Sequence, residues 1–353
     1  MQESFTFVNN IIEHDISVCE NSASFLQSAM WGNFKSLFGW TAKAFLIDWQ
    51  YEEKQEKSPL LVLCRRFSLG LGFGFSFAYV PWGPELPAFF PASLKPQVMA
   101  ELAKKLKQFF AHNTVFARFE PPWTDCAEGL FAGFQKSVVT VQAPDTVIVD
   151  LLPSCDEILS SMKPKWRYNI SLAAKKGVQV NCGTVQELKI FYDLLKETAV
   201  RDGISIHSFN YYKTLFELCG NQIRLYTASH EGDILAAIIV LFRGKDTTYL
   251  YGASSNKKRN LMAPYALQWR VMNDAKELGC LNYDLFGIPP NDDPNHPMAG
   301  LYRFKTGFGG QIIHRSGTWD YPYKPFFYTL FNIAEKLRKK LLNLKKNKKT
   351  NSK

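Results

Sequence analysis

No two of the seven cysteines stand closer than 27 residues, so the sequence has no CxxC pair and no zinc-ligand spacing. An odd, scattered set reads as reduced thiols and not as a disulfide framework. The start, "MQESFTFVNNIIEHDI", has neither a basic opening nor an apolar core, so no secretory leader is expected. No apolar run approaches the roughly 20 residues of a spanning helix, and the most apolar stretch is broken by Gly and Pro. The chain is therefore expected to be cytoplasmic. GxSxG, HExxH and Walker A patterns are missing. "GLGFGF" lacks the third glycine of a dinucleotide fingerprint and reads as a glycine-rich strand or turn. The six histidines are scattered. Acid is missing from the last 18 residues, which hold nine Lys or Arg. Without them 33 basic and 32 acidic residues remain, so nearly all of the +10 net charge is a tail. Such a tail attracts a polyanion, RNA or an anionic membrane surface, without choosing between them.

What is present suits a two-domain globular protein. The chain has 353 residues, 46% of them hydrophobic and 14% aromatic. Residues 25–39 have helical spacing with Gly39 as a stop. Residues 40–67 read as a hairpin around the charged turn 52–58. A strand follows at 74–84, an amphipathic helix at 93–112 and a strand at 113–123 that Pro121 ends. The second half repeats the pattern. Residues 221–254 form a three-strand meander with turns at 231–233 and 244–246, followed by a helix at 263–279 and a strand at 280–288. Between the halves, 161–220 reads as three helical patterns. The first carries Lys163, Lys165, Arg167, Lys175 and Lys176 with no acid. Residues 325–346 put Phe327, Leu330, Phe331, Ala334, Leu337 and Leu341 on one helical face. Meander, helix and strand in that order suit an α+β sheet covered by helices, as in N-acetyltransferase (GNAT) folds.

Several fragments occur in order between Phe25 and Gly310: "FLQSAMWGNFKSLFGW", "VPWGP", "MKPKWRYNISLAAKKGV", "ETAVRDGI", "YLYGASSNKKRNLMAPYALQW", "YDLFGI" and "LYRFKTGFGG". As a set they resemble the Fem (FemABX) family of aminoacyl-tRNA-dependent peptidoglycan-bridge ligases. The resemblance implies two GNAT-like domains. The first spans 1–143 plus about 317–345 and the second 144–316, with 346–353 a disordered basic tail. No stretch is long enough for the inserted helical arm of some relatives, so the compact form is expected. The implied reaction moves an aminoacyl group from charged tRNA, a co-substrate, to the stem-peptide amine of a peptidoglycan precursor, UDP-MurNAc-pentapeptide or lipid II. Neither a further cofactor nor a metal is expected. The basic C-terminus offers a link to the inner face of the cytoplasmic membrane.

Aminolysis of an activated ester needs positioning and a place for negative charge. Lys305 can supply the positive charge that receives it, and Phe304 can stack on a terminal base. The armless relatives assign this Phe–Lys pair to the aminoacyl-tRNA end. The bland reading is a helix end with a surface lysine. On the acceptor side, the resemblance puts Lys35 on the precursor diphosphate, and Tyr211, Tyr249 and Tyr251 on the precursor. The two tyrosines of "YLYGAS" are two apart, so both are expected on one face of a strand. His207 stands where the compact pattern has a phosphate-pairing Arg. Arg201 could substitute, or the acceptor could differ. Glu120, where relatives often have Asp, is the candidate general base. Two other classes stay open: an N-acyltransferase using a CoA or carrier thioester, and a membrane-surface scaffold without catalysis. "SSNKKRNLMAP" lacks the Gly-x-Gly loop that binds pyrophosphate in CoA enzymes.

Overall fold

A computed structural model describes residues 6–70, 73–125 and 132–350. The chain folds as two units, Met1–Pro144 with Arg315–Lys353, and Asp145–His314. In chain order the first unit begins with β1 (Val8–His14), α1 (Ala29–Ser36), β2 (Thr41–Tyr51), β3 (Lys54–Gly70), β4 (Phe73–Val80), α2 (Lys95–Leu106), β5 (Thr114–Phe119) and β6 (Gln135–Lys136). The second unit is β7 (Asp145–Asp150), α3 (Cys155–Ser161), α4 (Pro164–Lys175), β8 (Gln179–Gly183), α5 (Leu188–Asp202), α6 (Phe209–Cys219), β9 (Ile223–His230), β10 (Asp233–Arg243), β11 (Asp246–Ser254), α7 (Ala263–Glu277), β12 (Asn282–Asp284), α8 (Ala299–Thr306) and β13 (Gln311–His314). The chain then returns to the first unit with β14 (Trp319–Pro322) and α9 (Pro325–Thr350).

Each unit holds one seven-stranded sheet. The orders are β1-β2-β3-β4-β5-β14-β6 and β13-β7-β12-β11-β10-β9-β8. In each, an antiparallel meander is followed by a crossover helix and a strand parallel to the last of the meander. In the first unit α2 joins β4 to parallel β5, and in the second α7 joins β11 to parallel β12. A parallel pair needs such a crossover. The strand beside the crossover strand is then antiparallel and comes from elsewhere in the chain, β14 in one unit and β7 in the other. Both units are thus GNAT-like. Among the described residues no helix of the second unit exceeds 15 residues, so there is no coiled-coil arm.

Local chemistry explains the elements. β5, "TVFARF", is buried along its whole length, as a central strand should be. α2 turns Val98, Met99, Leu102, Ala103 and Leu106 inward, and Pro96 sits in its first turn, where a missing N–H costs nothing. A capping box between Ser154 and Glu157 starts α3. Gly203, at φ 64°, ends α5 in the left-handed region.

Four expectations change. The first hairpin turns at Glu52, which adopts φ 54°, so Lys54–Lys57 belong to β3 and not to a seven-residue turn. A strand, β8, separates the first two helices of 161–220 and pairs with β9. The strand within 280–288 is only Asn282–Asp284, because Phe286 takes φ 57° and its N–H turns back onto Asp284. α9 extends to Thr350, into the segment expected to be disordered; Lys and Leu are good helix formers and cations suit a helix C-terminus. Residues 351–353, and Leu71 and Gly72 of "GLGFGF", lie outside the described residues.

Candidate functional site

Lys305 lies in the last turn of α8, and its side chain points inward; it is only 5% exposed. The surface-lysine reading therefore fails. Its ammonium donates to the carbonyls of Phe286 (2.7 Å) and Gly287 (2.9 Å), in the loop that leaves β12. It also sits 5.2 Å from the ring centroid of Tyr249. Burial pulls its pKa down to about 7, against the opposing attraction of Asp284. Asp284 accepts from the Thr146 hydroxyl and from the Phe286 N–H at 2.7 Å, which fixes the loop that holds the ammonium. Lysine has three donors. Two are used on carbonyls, and the third has no acceptor among the described residues.

The glycines after Lys305 serve packing within the chain. A Cβ at Gly307 would lie 2.1 Å from the Trp166 indole of α4, and one at Gly310 would lie 2.7 Å from the Ile148 carbonyl of β7. Gly309, at φ 82°, abuts Ser161. Trp166 donates from its indole N–H to the Phe304 carbonyl at 2.8 Å. The Phe304 ring is half-buried, edge-on to Tyr265 (5.2 Å) and Phe308 (5.1 Å). α4 and α8 are thereby locked together, and of the five basic residues singled out above α4 carries Lys165, Arg167 and Lys175, with Lys163 and Lys176 at its two caps.

Tyr249 and Tyr251 do not share a face. Opposite β11, Ile239 pairs with Tyr251 and Val240 with Tyr249, leaving Leu250 as a bulge. Paired residues lie on the same side of a sheet and consecutive ones on opposite sides. Tyr249 accordingly joins the core that includes α7 residues and Phe308 and lies under Lys305. Tyr251 turns to α6, edge-on to Tyr212 (5.1 Å) and hydrogen-bonded to Tyr211. Burial raises the pKa of both phenols, Tyr249 to about 12, so both stay neutral near pH 7. The exposed His207 ring stacks on Tyr211 at 3.8 Å and 12°. Arg201 is not poised to replace the missing arginine. Its guanidinium is engaged by Asp202 at 2.8 and 3.2 Å and by the Ser254 carbonyl at 2.8 Å.

Lys35 and Glu120 belong to the first unit. Lys35 is half-buried in the last turn of α1, 5.5 Å from the Trp31 ring and 5.8 Å from Trp40. Burial, and then the neighbouring Arg65, lower its pKa to about 8. Arg65 covers the same Trp40 ring at 5.3 Å. Glu120 is buried and fully engaged. It accepts from the Tyr79 hydroxyl, from the N–H groups of Val141 (2.9 Å) and Gln142 (3.0 Å), and from the Thr318 hydroxyl (3.0 Å). Burial raises its pKa. A carboxylate that ties three segments together reads as a structural staple, not as a base with a free lone pair. Thiol chemistry is also disfavoured at the buried Cys19 and Cys219 and the half-buried Cys64. Desolvation lifts Cys19 and Cys219 to about 12 and Cys64 to about 11. Cys126 lies outside the described residues.

Sequence reasoning missed Asp284, Thr146, Trp166 and Arg65. Asp284 and Trp166 lay inside the family-like fragments, and a lysine that must be buried calls for carbonyls and an acid near it. Nothing local marks Arg65.

The tandem sheets, each with its crossover helix, and the lysine buried at the end of α8 define a class: two-unit, GNAT-like proteins. The FemAB family model matches residues 127–231 and 227–336, more than half of the chain, and the chain belongs to this family. Among curated proteins it is similar to the lipid II:glycine glycyltransferase of Staphylococcus epidermidis, at 22% identity over 94% of this chain and 95% of the relative. The enzyme of that name from Staphylococcus aureus (strain COL) shows 22% identity over 93% and 95%. Among solved structures, FemX superposes with a TM-score of 0.74 at 18% identity, covering 92% of this chain and all of FemX.

Proposed function

We propose that the protein is an aminoacyltransferase that moves an aminoacyl group from aminoacyl-tRNA to the stem-peptide amine of a peptidoglycan precursor. The amine nitrogen attacks the ester carbonyl carbon, an amide forms, and the bond to the ribose oxygen breaks. The amine's proton ends on that oxygen. Lys305 is the observation that carries the reading: a buried ammonium, held by two carbonyls, with a third donor available. It supplies positive charge to the tetrahedral oxyanion or to the departing ribose oxygen. With a pKa near 7 it is readily protonated as negative charge develops beside it.

The tRNA donor is supported by α4. Lys163, Lys165, Lys175 and Lys176 are exposed along and at the two caps of a helix that Trp166 fastens to the Lys305 helix. A basic helix anchored to the catalytic one suits the phosphates of an acceptor stem. The names of the glycyltransferase relatives support a precursor acceptor such as lipid II, and a lipid-linked acceptor would suit an enzyme working peripherally at a membrane surface. Lys35 beside Arg65 on a tryptophan shelf is the candidate phosphate contact of the acceptor. Tyr211 and Tyr251 contribute through their linked hydroxyls and Tyr249 by supporting Lys305. In the loop "SSNKKRNLMAP", Lys257 and Lys258 are paired with Asp233 and Glu231, which does not favour a thioester nucleotide there.

The test is transfer of a radiolabelled amino acid to precursor with purified protein and charged tRNA. Activity that survives ribonuclease treatment would exclude a tRNA donor. Lys305→Met should cut turnover by on the order of 10²-fold or more, and near-normal turnover would exclude Lys305.

A further inference from the structure

α9 has two apolar faces, and the first unit uses one of them. On that side Tyr328 is fully buried and donates to Asp320 at 3.0 Å, while the Phe331 ring meets Phe116 at 5.0 Å and Phe75 at 5.9 Å. The other side carries Phe326, Leu330, Ile333 and Leu337, one stripe over three turns, with Phe327 beside it. These are exposed in the folded chain: Phe326 70%, Leu330 49%, Ile333 50% and Leu337 57%. Isolated surface leucines need no explanation, but a continuous stripe does. From Lys336 to Lys340 every side chain is exposed, four of the five are Lys or Arg, and the remaining one is Leu337 of the stripe. The last acid is Glu335, which pairs with Arg338 at 3.1 Å. Among the described residues no helix is long and apolar enough to cross a membrane.

We infer that this face of α9 lies flat on an anionic phospholipid surface. Charge chooses the occupant. A second copy apposed through the stripe offers the basic segment no acid, since Glu335 is the one acid of α9 and pairs with Arg338, whereas anionic headgroups neutralise it. The geometry is that of an interfacial helix. The rings and leucines enter the headgroup–acyl boundary, and the lysines extend their stems sideways to the phosphates. The first turns of α9 remain packed on the sheet of the first unit, so the membrane meets a surface already fixed to the folded protein. The inference stands on this helix and not on the transferase reading.

Full-length protein is sedimented with vesicles of phosphatidylcholine alone or with about 30% phosphatidylglycerol. Binding should be at least about 10-fold stronger to the anionic vesicles and should weaken at high salt, where charges are screened. Leu330→Glu with Leu337→Glu should reduce it by about 10-fold or more. Both side chains are exposed, so circular dichroism and thermal unfolding should be unchanged. Binding that ignores phosphatidylglycerol, or survives the double substitution, overturns the inference. So does a concentration-dependent dimer that the double substitution dissolves while vesicles bind neither form; the occupant is then a second copy. Transfer to a water-soluble precursor, measured in parallel, should not change. Vesicle binding without any transfer would sink the transferase reading and leave this one standing.

Discussion

Lys305 is held charged at a cost, and that cost has a sign. Its native pKa of about 7 lies below the ordinary 10.5. Below pH 7 both native and unfolded chains hold the proton, and the full penalty of burying charge applies. Between 7 and 10.5 the unfolded chain keeps a proton that the native one releases, so stability rises with pH, by at most about 1.4 kcal/mol per pH unit. Thermal unfolding between about pH 7 and 9 should show this rise, and Lys305→Met should flatten it relative to wild type. An unchanged slope would mean that Lys305 is not the titrating group. Glu120 gives the opposite contrast. Glu120→Gln leaves one acceptor oxygen where two served a pair of backbone N–H groups and two hydroxyls, so it should cost about 1–3 kcal/mol of stability. Turnover of the folded fraction should change little. A Glu120→Gln variant that stays stable, with turnover down by about 10²-fold, would restore the role of general base.

At the scale of elements, the glycine run after α8 and Trp166 of α4 form one joint. Gly307→Ala would push a methyl into the indole, which cannot move without breaking its bond to the Phe304 carbonyl. The expected loss is about 1–3 kcal/mol, as for other overpacked sites, seen as a lower midpoint in urea. An unshifted midpoint would show that the joint is loose. Much of this scale was legible beforehand. The second meander and the crossover helices α2 and α7 follow from period and turn residues, whereas the "FKTGFGG" segment stood out only through the family resemblance. β7 and β14 do not, because short strands added from afar depend on the partners they find and not on their own pattern. The bulge at Leu250 was equally invisible. Strict alternation puts Tyr249 and Tyr251 on one side, and only the register against β10 reveals that a residue is skipped. Lys305 was legible as a candidate, but its burial was not, since its carbonyl partners arise from the turn at Phe286.

For the whole molecule, the order of the chain makes the first unit depend on a segment that lies beyond the second. The first unit is interrupted at Pro144 and resumes at Arg315. β14 is then inserted between β5 and β6, and it brings Asp320 to Arg118 in a two-bond pair at 2.8 and 2.9 Å, both side chains buried. Tyr328 of α9 binds the same carboxylate. A chain ending at His314 would leave the buried Arg118 without its paired carboxylate, and removing one partner of such a pair costs about 3–5 kcal/mol. It would also open an edge along β5. Residues 145–314 lose none of their own strands by excision. Expressed alone, they should unfold cooperatively. The 1–314 chain should keep that transition and lose the first unit's, with amide exchange in β2–β5 approaching that of an unfolded chain. Asp320→Ala in the intact chain separates the charge from the missing strand. It should lower the first unit's stability by the same few kcal/mol while leaving the exchange of β9–β12 unchanged. Equal weakening of both units would show that they fold as one.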